Sequence, residues 1–133
     1  MMVMKLLSIV ITLLLLISCQ EKKFDRFERE ANEYTMRHCP KQMDEITQLD
    51  SMVFHNDGSL DYKYYYTVQL TEEQRKSFQN IMGEVKDISL KGVRSSIDLK
   101  PMKEAGLNFV YIYRDAETGK NLAKFVITPE DYK

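Results

Sequence analysis

The sequence predicts an α+β domain in the order helix, hairpin, one or two helices, hairpin. Apolar residues recur every three or four positions over residues 24–38 and 72–86, as they do on the buried face of an amphipathic helix. Apolar and polar residues alternate over 62–70 and 107–113, a period typical of strands with one buried face. Because helices and strands come in separate blocks, we expect a four-stranded antiparallel sheet with helices packed on one face.

The first nineteen residues differ in character from the rest of the chain. Lys5 precedes an almost unbroken apolar run over residues 6–17. This run is shorter than the roughly 20 residues that a membrane-spanning helix needs, and it has the length of a signal-peptide core. It ends in Leu16-Ile17-Ser18-Cys19, which resembles the lipobox of bacterial lipoproteins.

The resemblance to a lipobox implies how the chain is processed and where in the cell it is located. Residues 1–18 would be a signal peptide, and Cys19 would be lipidated, with palmitate among its acyl chains, and become the first residue of the mature chain. Residues 19–23 would be the anchored cysteine and a short tether, and 24–133 a single globular domain. Gln20 replaces the aspartate that retains some lipoproteins at the inner membrane. The outer membrane, facing the periplasm, is therefore favoured, with the inner membrane and the cell surface left open.

The first half of the domain contains a helix and a hairpin. The helix covers 24–38, and Pro40 ends it because the residue before a proline disfavours helical angles. Asn56-Asp57-Gly58 has turn chemistry and lies between predicted strands at 45–54 and 62–70.

The second half begins with a helix. Thr71 and Gln74 form a predicted capping box in front of a helix at 72–86. Residues 87–98 show no clear pattern. A short helix is expected at 99–105, capped by Asp98 and stopped by Gly106. Strands at 107–113 and 122–128 then form a second hairpin around a turn at 115–120.

No motif in the sequence indicates an enzyme, a metal site or a cofactor. His38 and Cys39 are neighbours, but adjacent helical residues do not face each other. Asn56-Asp57-Gly58 lacks the further ligands of a calcium loop. The net charge is −1 and no basic patch is visible, which argues against nucleic acid as a partner. Cys39 is the one cysteine left once Cys19 is lipidated.

One face of the predicted sheet is a candidate for binding. Tyr65 alternates away from the other tyrosines of its strand, and we expect it to share an open face with four further side chains: Lys63, Thr67, Val110 and Ile112. An exposed apolar patch of this kind marks a binding site more often than chance, unless residues 87–98 or a loop covers it.

The sequence therefore favours a lipid-anchored, non-catalytic adaptor that contacts another envelope protein. The alternative is a binder of a small ligand or carbohydrate that uses the tyrosine-bearing face. The stretches HCPKQMDEITQLDSM and AGLNFVYIYRDAETGKNLAKFVITPEDY resemble small envelope proteins of Gram-negative bacteria in general pattern. That resemblance implies an envelope location and assigns no site residue.

Overall fold

The computed structural model describes the backbone of residues 2–133 and the side chains of 3–8 and 23–133. Its elements, in chain order, are α1 (Met2–His38), β1 (Lys41–Gln42), β2 (Thr47–Phe54), β3 (Asp61–Val68), α2 (Glu72–Ser95), α3 (Lys100–Glu104), β4 (Asn108–Asp115), β5 (Asn121–Ile127) and α4 (Pro129–Tyr132). The α+β class predicted from the sequence is confirmed.

The predicted four-stranded antiparallel sheet is wrong in two respects. The described sheet has five strands in the order β1-β2-β3-β4-β5, because the two-residue strand β1 adds to the edge of β2. Its central pair, β3 and β4, is parallel, with Asp61 opposite Asn108 and Val68 opposite Asp115. Parallel neighbours need a long crossover, and α2 with α3 supplies it by returning the chain to the end of the sheet where β3 began.

The first helix ends at His38 as predicted, directly before the cis peptide bond between Cys39 and Pro40. It begins much earlier than residue 24, because the helix is continuous through the predicted signal peptide and tether. Within the described part of the chain, no helix combines the length and apolarity needed to span a bilayer.

The part of α1 from residue 24 onward packs beside β2. Phe27 and Ala31 are buried against the core. The Thr35 hydroxyl donates to the carbonyl of Met52 and accepts from its amide, both at 2.9 Å. The two-residue strand β1 pairs only with Gln48 and Leu49 of β2, and the helix bonds the backbone of Met52 further along the same edge. This contact covers part of an exposed strand edge, which in other proteins is a site of pairing with another chain.

The second helix is nine residues longer than predicted and ends at Ser95 instead of residue 86. Two tertiary contacts account for the extra turns. Val93 is 1% exposed, and the Lys103 ammonium donates to the carbonyls of Val93 at 2.8 Å and Arg94 at 3.1 Å. A side chain ten residues further along the chain therefore caps the helix, and no local pattern reveals that.

The short third helix is close to the prediction. It covers Lys100–Glu104, with Leu99 in the N-cap position and no side-chain cap bond, so the predicted capping role of Asp98 is wrong. Gly106 has φ of 75°, the left-handed conformation that commonly ends helices and favours glycine.

The capping box in front of α2 is confirmed. The Gln74 amide donates to the Thr71 hydroxyl at 3.2 Å, and the Thr71 amide donates to the Gln74 side chain at 2.9 Å. Thr71→Ala is expected to lower the free energy of unfolding by about 1 kcal/mol through the lost cap. Urea denaturation would measure this, with Ser77→Ala, an exposed serine of the same helix, as control. Equal stability of the two variants would mean that the cap contributes nothing.

The core lies between the two long helices and one face of the sheet. Its fully buried aromatic side chains lie side by side on three adjacent strands: Phe54 at 1% exposure, Tyr62 at 1% and Phe109 at 0%. At the other end of the sheet, the Arg75 guanidinium donates to the buried carboxylate of Asp115 at 2.6 Å. This hydrogen bond, with the charge of the guanidinium, lowers the pKa of Asp115. The ion pair holds the start of α2 above the β4–β5 turn.

Candidate functional site

Four tyrosines form a stacked array on the core face of the central strands. The parallel register places Tyr64 beside Tyr111 and Tyr66 beside Tyr113. Their ring centroids lie 5.0 Å and 4.9 Å apart, with the rings nearly parallel. Phe125 of β5 continues the array, 4.9 Å from Tyr111. Offset stacks of this kind stabilise the sheet beyond simple burial, and they form a flat aromatic floor.

The phenols of this floor stay neutral. Burial raises the pKa of Tyr111 to about 12 and, together with the charge of Asp44 nearby, that of Tyr113 to about 12. Burial also raises the pKa of Tyr66. A tyrosine with such a pKa is neither a base nor a nucleophile near neutral pH. The floor is therefore a hydrophobic surface whose polar groups are the neutral phenol hydroxyls of its tyrosines.

A groove of about 350 Å³ opens above this floor, between α2 and the turn that joins β1 to β2. We call it the α2 groove. Its floor residues are Tyr66, Val68, Tyr111 and Tyr113. Its α2 wall consists of Phe78, Ile81, Met82, Val85 and Ser89. Its turn wall consists of Met43, Asp44, Ile46 and Thr47.

Hydrogen bonds hold the turn wall in place. The Asp44 carboxylate accepts from the amides of Ile46 at 2.9 Å and Thr47 at 2.7 Å. The Met43 amide donates to the Thr47 carbonyl, and the Gln69 amide donates to the Ile46 carbonyl, at 2.9 Å and 2.8 Å. The wall is thus preformed, which reduces the ordering cost of binding.

Large apolar side chains on both walls are exposed. Met43 is 51% exposed, Ile46 36% and Ile81 45%. Two helical turns beyond Ile81, on the same side of α2, Ile88 is 69% exposed. An apolar groove with exposed apolar rims is typical of a surface that receives a partner.

The α2 groove is not predictable from the helical and strand periodicities of the sequence. Ile81 and Ile88 share the helical spacing of Phe78 and Met82, which by itself predicts that all four lie on one buried face. On the helix, however, Ile81 and Ile88 lie on the flank that points away from β5, beyond what the sheet covers. The available signal was Met43, an apolar residue between the predicted helix and the predicted strand at 45–54, together with Ile46 near the start of that strand.

The candidate face predicted from the sequence is assembled as a geometric unit. Register pairs place Lys63 beside Val110, Tyr65 beside Ile112, and Thr67 beside Arg114, so all five predicted residues share the sheet face opposite the core. Lys63, Tyr65, Thr67 and Ile112 are half-buried. Val110 is 2% exposed, so it contributes little surface. A binding role for this face stays a prediction.

The sheet face opposite the core is polar near the ends of β3 and β4. The Thr67 hydroxyl donates to the Asp50 carboxylate, and Arg114 lies 3.7 Å from the same carboxylate. A second cavity, of about 320 Å³, opens here. Its lining combines apolar and polar groups: Asp50, Ser51, Tyr65, Tyr66, Ile112, Arg114 and Asn121.

The structure describes the side chain of Cys39 but not that of Cys19. The side chain of Cys19 lies outside the described residues, so its lipidation stays a prediction. Cys39 is a half-buried free thiol. Burial raises the pKa of Cys39, whereas a reactive cysteine has a lowered pKa. Among the described side chains, no group of three or more histidines, cysteines and carboxylates is placed to hold a metal ion.

Residues 22–123 match the family model of a domain of unknown function, DUF8479. The chain belongs to this family. No curated protein matches it in sequence. The matched segment begins three residues after Cys19 and contains both the α2 groove and the candidate sheet face.

Solved structures with the same fold come from bacteria. A protein from Pseudomonas aeruginosa described as secreted aligns with a TM-score of 0.71 at 12% identity, over 84% of this chain and 94% of its own. EpsS, a pilotin of the Vibrio vulnificus type 2 secretion system, aligns with a TM-score of 0.59 at 10% identity, over 84% and 96%. AspS, a type 2 secretion pilotin from Vibrio cholerae, aligns with a TM-score of 0.53 at 13% identity, over 83% of this chain and 95% of its own. At these identities the likeness establishes a shared fold.

Proposed function

We propose that this chain is a non-catalytic, lipid-anchored envelope adaptor that holds an apolar segment of another envelope protein in the α2 groove. The observation that carries the proposal is the exposure of Met43, Ile46 and Ile81 around a preformed aromatic floor. Burying those side chains is favourable by roughly 25 cal/mol per Å² of apolar surface, and a partner would supply that cover. The pilotins among its structural neighbours, which are named as components of secretion systems, support an adaptor role.

The surroundings of the groove define the chemistry of the partner. Asp44 lies in the turn wall, Glu45 follows it directly in the sequence, and Glu84 lies on the exposed flank of α2 between Ile81 and Ile88. Three carboxylates around an apolar centre favour an apolar segment flanked by lysine or arginine. Such charges mainly affect the choice of partner and the rate of association.

Site-specific photocrosslinking in intact cells tests this proposal. A photoreactive residue at Ile81 is expected to capture one envelope protein, and the same residue at Ile112 on the opposite sheet face serves as control. The crosslinked peptide is then mapped, and a synthetic peptide of that segment is titrated into the purified protein. Ile81→Lys is expected to weaken its binding about tenfold or more, since burying an isoleucine contributes roughly 1.5–3 kcal/mol.

Binding that is unchanged in Ile81→Lys but lost in Ile112→Lys would contradict the groove assignment. It would place the peptide on the opposite sheet face, which is also the site of the second candidate function, the binding of a small ligand or carbohydrate. That candidate is favoured by the cavity in which Tyr65 lies beside Asp50 and Arg114, because sugar sites combine an aromatic surface with a few convergent polar groups.

A further inference from the structure

The distance between Cys19 and the first residue of the core is short. Among the described side chains of α1, Phe24 is the first that packs on the domain, with its ring 6.1 Å from Phe27 and 6.3 Å from Phe54. Five positions separate Phe24 from Cys19. As helix they span about 7.5 Å, and fully extended they span at most about 18 Å. In either conformation, a lipid on Cys19 keeps Phe24 close to the bilayer.

The β2–β3 turn lies at this same end of the domain. The Asn56 amide donates to the Glu28 carboxylate at 2.7 Å, and the Asn56 side chain donates to the Asp25 carboxylate at 2.8 Å. Asp25 and Glu28 lie in the helical turn that follows Phe24. The turn at residues 55–59 is therefore tied to the part of α1 nearest Cys19.

The parallel pairing brings the α2–α3 connection to that end as well. β3 begins directly after this turn, and β4 begins beside it, with Asp61 opposite Asn108. The end of α2 and all of α3 precede β4, and Lys103 fastens them to each other. Ile97, in this connection, is 83% exposed. The β4–β5 turn lies at the opposite end, beyond strands of eight residues, or about 26 Å away.

We propose that this end is a membrane-facing surface, formed by residues 55–59 and the α2–α3 connection, and that its partner is the lipid bilayer, with Ile97 at the headgroup level. The inference rests on the lipid anchor in the proposed function and adds a fixed orientation to it. The turn wall of the α2 groove lies at the far end of the sheet, because Thr47 pairs with Val68 at the end of β3. A partner would then reach the groove from the side remote from the membrane.

Depth-dependent fluorescence quenching tests the orientation. The mature lipidated protein carries Cys39→Ser and a single new cysteine for a fluorophore: Ile97→Cys, His55→Cys, or Lys120→Cys as the far-end control. Each is reconstituted into phosphatidylethanolamine–phosphatidylglycerol vesicles with and without a lipid bearing a headgroup nitroxide. We expect quenching at positions 97 and 55 to exceed that at 120 severalfold. Inserting a flexible Gly/Ser linker of about twelve residues between Lys22 and Lys23 should remove that difference.

The outcomes separate the orientation from the anchor. Vesicle flotation and the mass of the Cys19 peptide establish whether the anchor is present. Equal quenching at the three positions in protein that floats, or stronger quenching at 120, would overturn the membrane-facing surface while leaving the anchor and the groove intact. Protein that does not float would overturn both the anchor and the surface, and binding of the partner peptide by the purified protein would still test the groove.

Discussion

Cys19→Ala is expected to abolish membrane retention and to leave an unprocessed precursor or a soluble form of the protein. The reason is energetic: each acyl CH₂ in the bilayer contributes roughly 0.8 kcal/mol, and several chains on one cysteine together hold a protein stably. Cell fractionation with immunodetection would measure the shift from the membrane to the soluble fraction.

Cys39→Ala is the matched control for that experiment. It removes the other thiol of the chain but keeps the lipobox-like motif, so its membrane retention should be normal. Retention of Cys19→Ala at the level of the unaltered protein would contradict the lipidation of this residue. Loss of retention in both variants would point to misfolding instead.

Phe109→Ala is expected to have the largest effect on stability, lowering the free energy of unfolding by about 3–5 kcal/mol. Phe109 is 0% exposed on the central strand β4, where its ring lies 5.8 Å from Tyr132 and 6.4 Å from Tyr62. A typical domain has only about 5–15 kcal/mol of stability in total. Urea denaturation followed by circular dichroism would measure the change.

Ile112→Ala tests the register of the same strand. Ile112 lies three positions along β4, on the opposite face, and is half-buried. Its truncation should therefore cost clearly less than that of Phe109. A one-residue shift in strand register exchanges the two faces, so a larger loss of stability in Ile112→Ala would mean that the described register is wrong.

Local chemistry was enough to predict the position of most elements. Thr71 and Gln74 identify the start of α2 because a capping box is complete within four residues. Pro40 and Gly106 mark helix ends because their backbone preferences are intrinsic. The alternation of Tyr62, Tyr64 and Tyr66 predicts one buried strand face, and all three rings belong to the core or pack against it.

Long-range contacts decided what the sequence pattern could not. The end of α2 depends on Lys103 and on burial of Val93, and neither is visible in the helix itself. Strand direction has no local signal either, because β3 alternates in the same way in a parallel or an antiparallel pair. The predicted sheet pairs the two hairpins antiparallel, whereas the α2–α3 crossover makes the β3–β4 pair that joins them parallel.

In the two candidate sites too, local patterns predict some features and long-range packing decides the others. Period-two alternation correctly grouped Lys63, Tyr65 and Thr67 with Val110 and Ile112 on one face, because side-chain direction in a strand follows from position alone. The burial of Val110 was not predictable from that alternation. The α2 groove combines Ile46 with Ile81, which are far apart in sequence, and only the packing of α2 over the sheet brings them together.

The parallel pairing of β3 with β4 also affects how the chain folds. It joins residues 47 positions apart, such as Asp61 and Asn108, whereas each hairpin closes over a short turn. Loop-closure entropy grows with separation, and non-local pairing slows folding. We therefore expect both hairpins to form before they meet, each with its tyrosine-bearing strand unpaired along one edge. Two chains folding side by side could exchange these hairpins, so slow pairing makes a domain-swapped dimer an accessible side product.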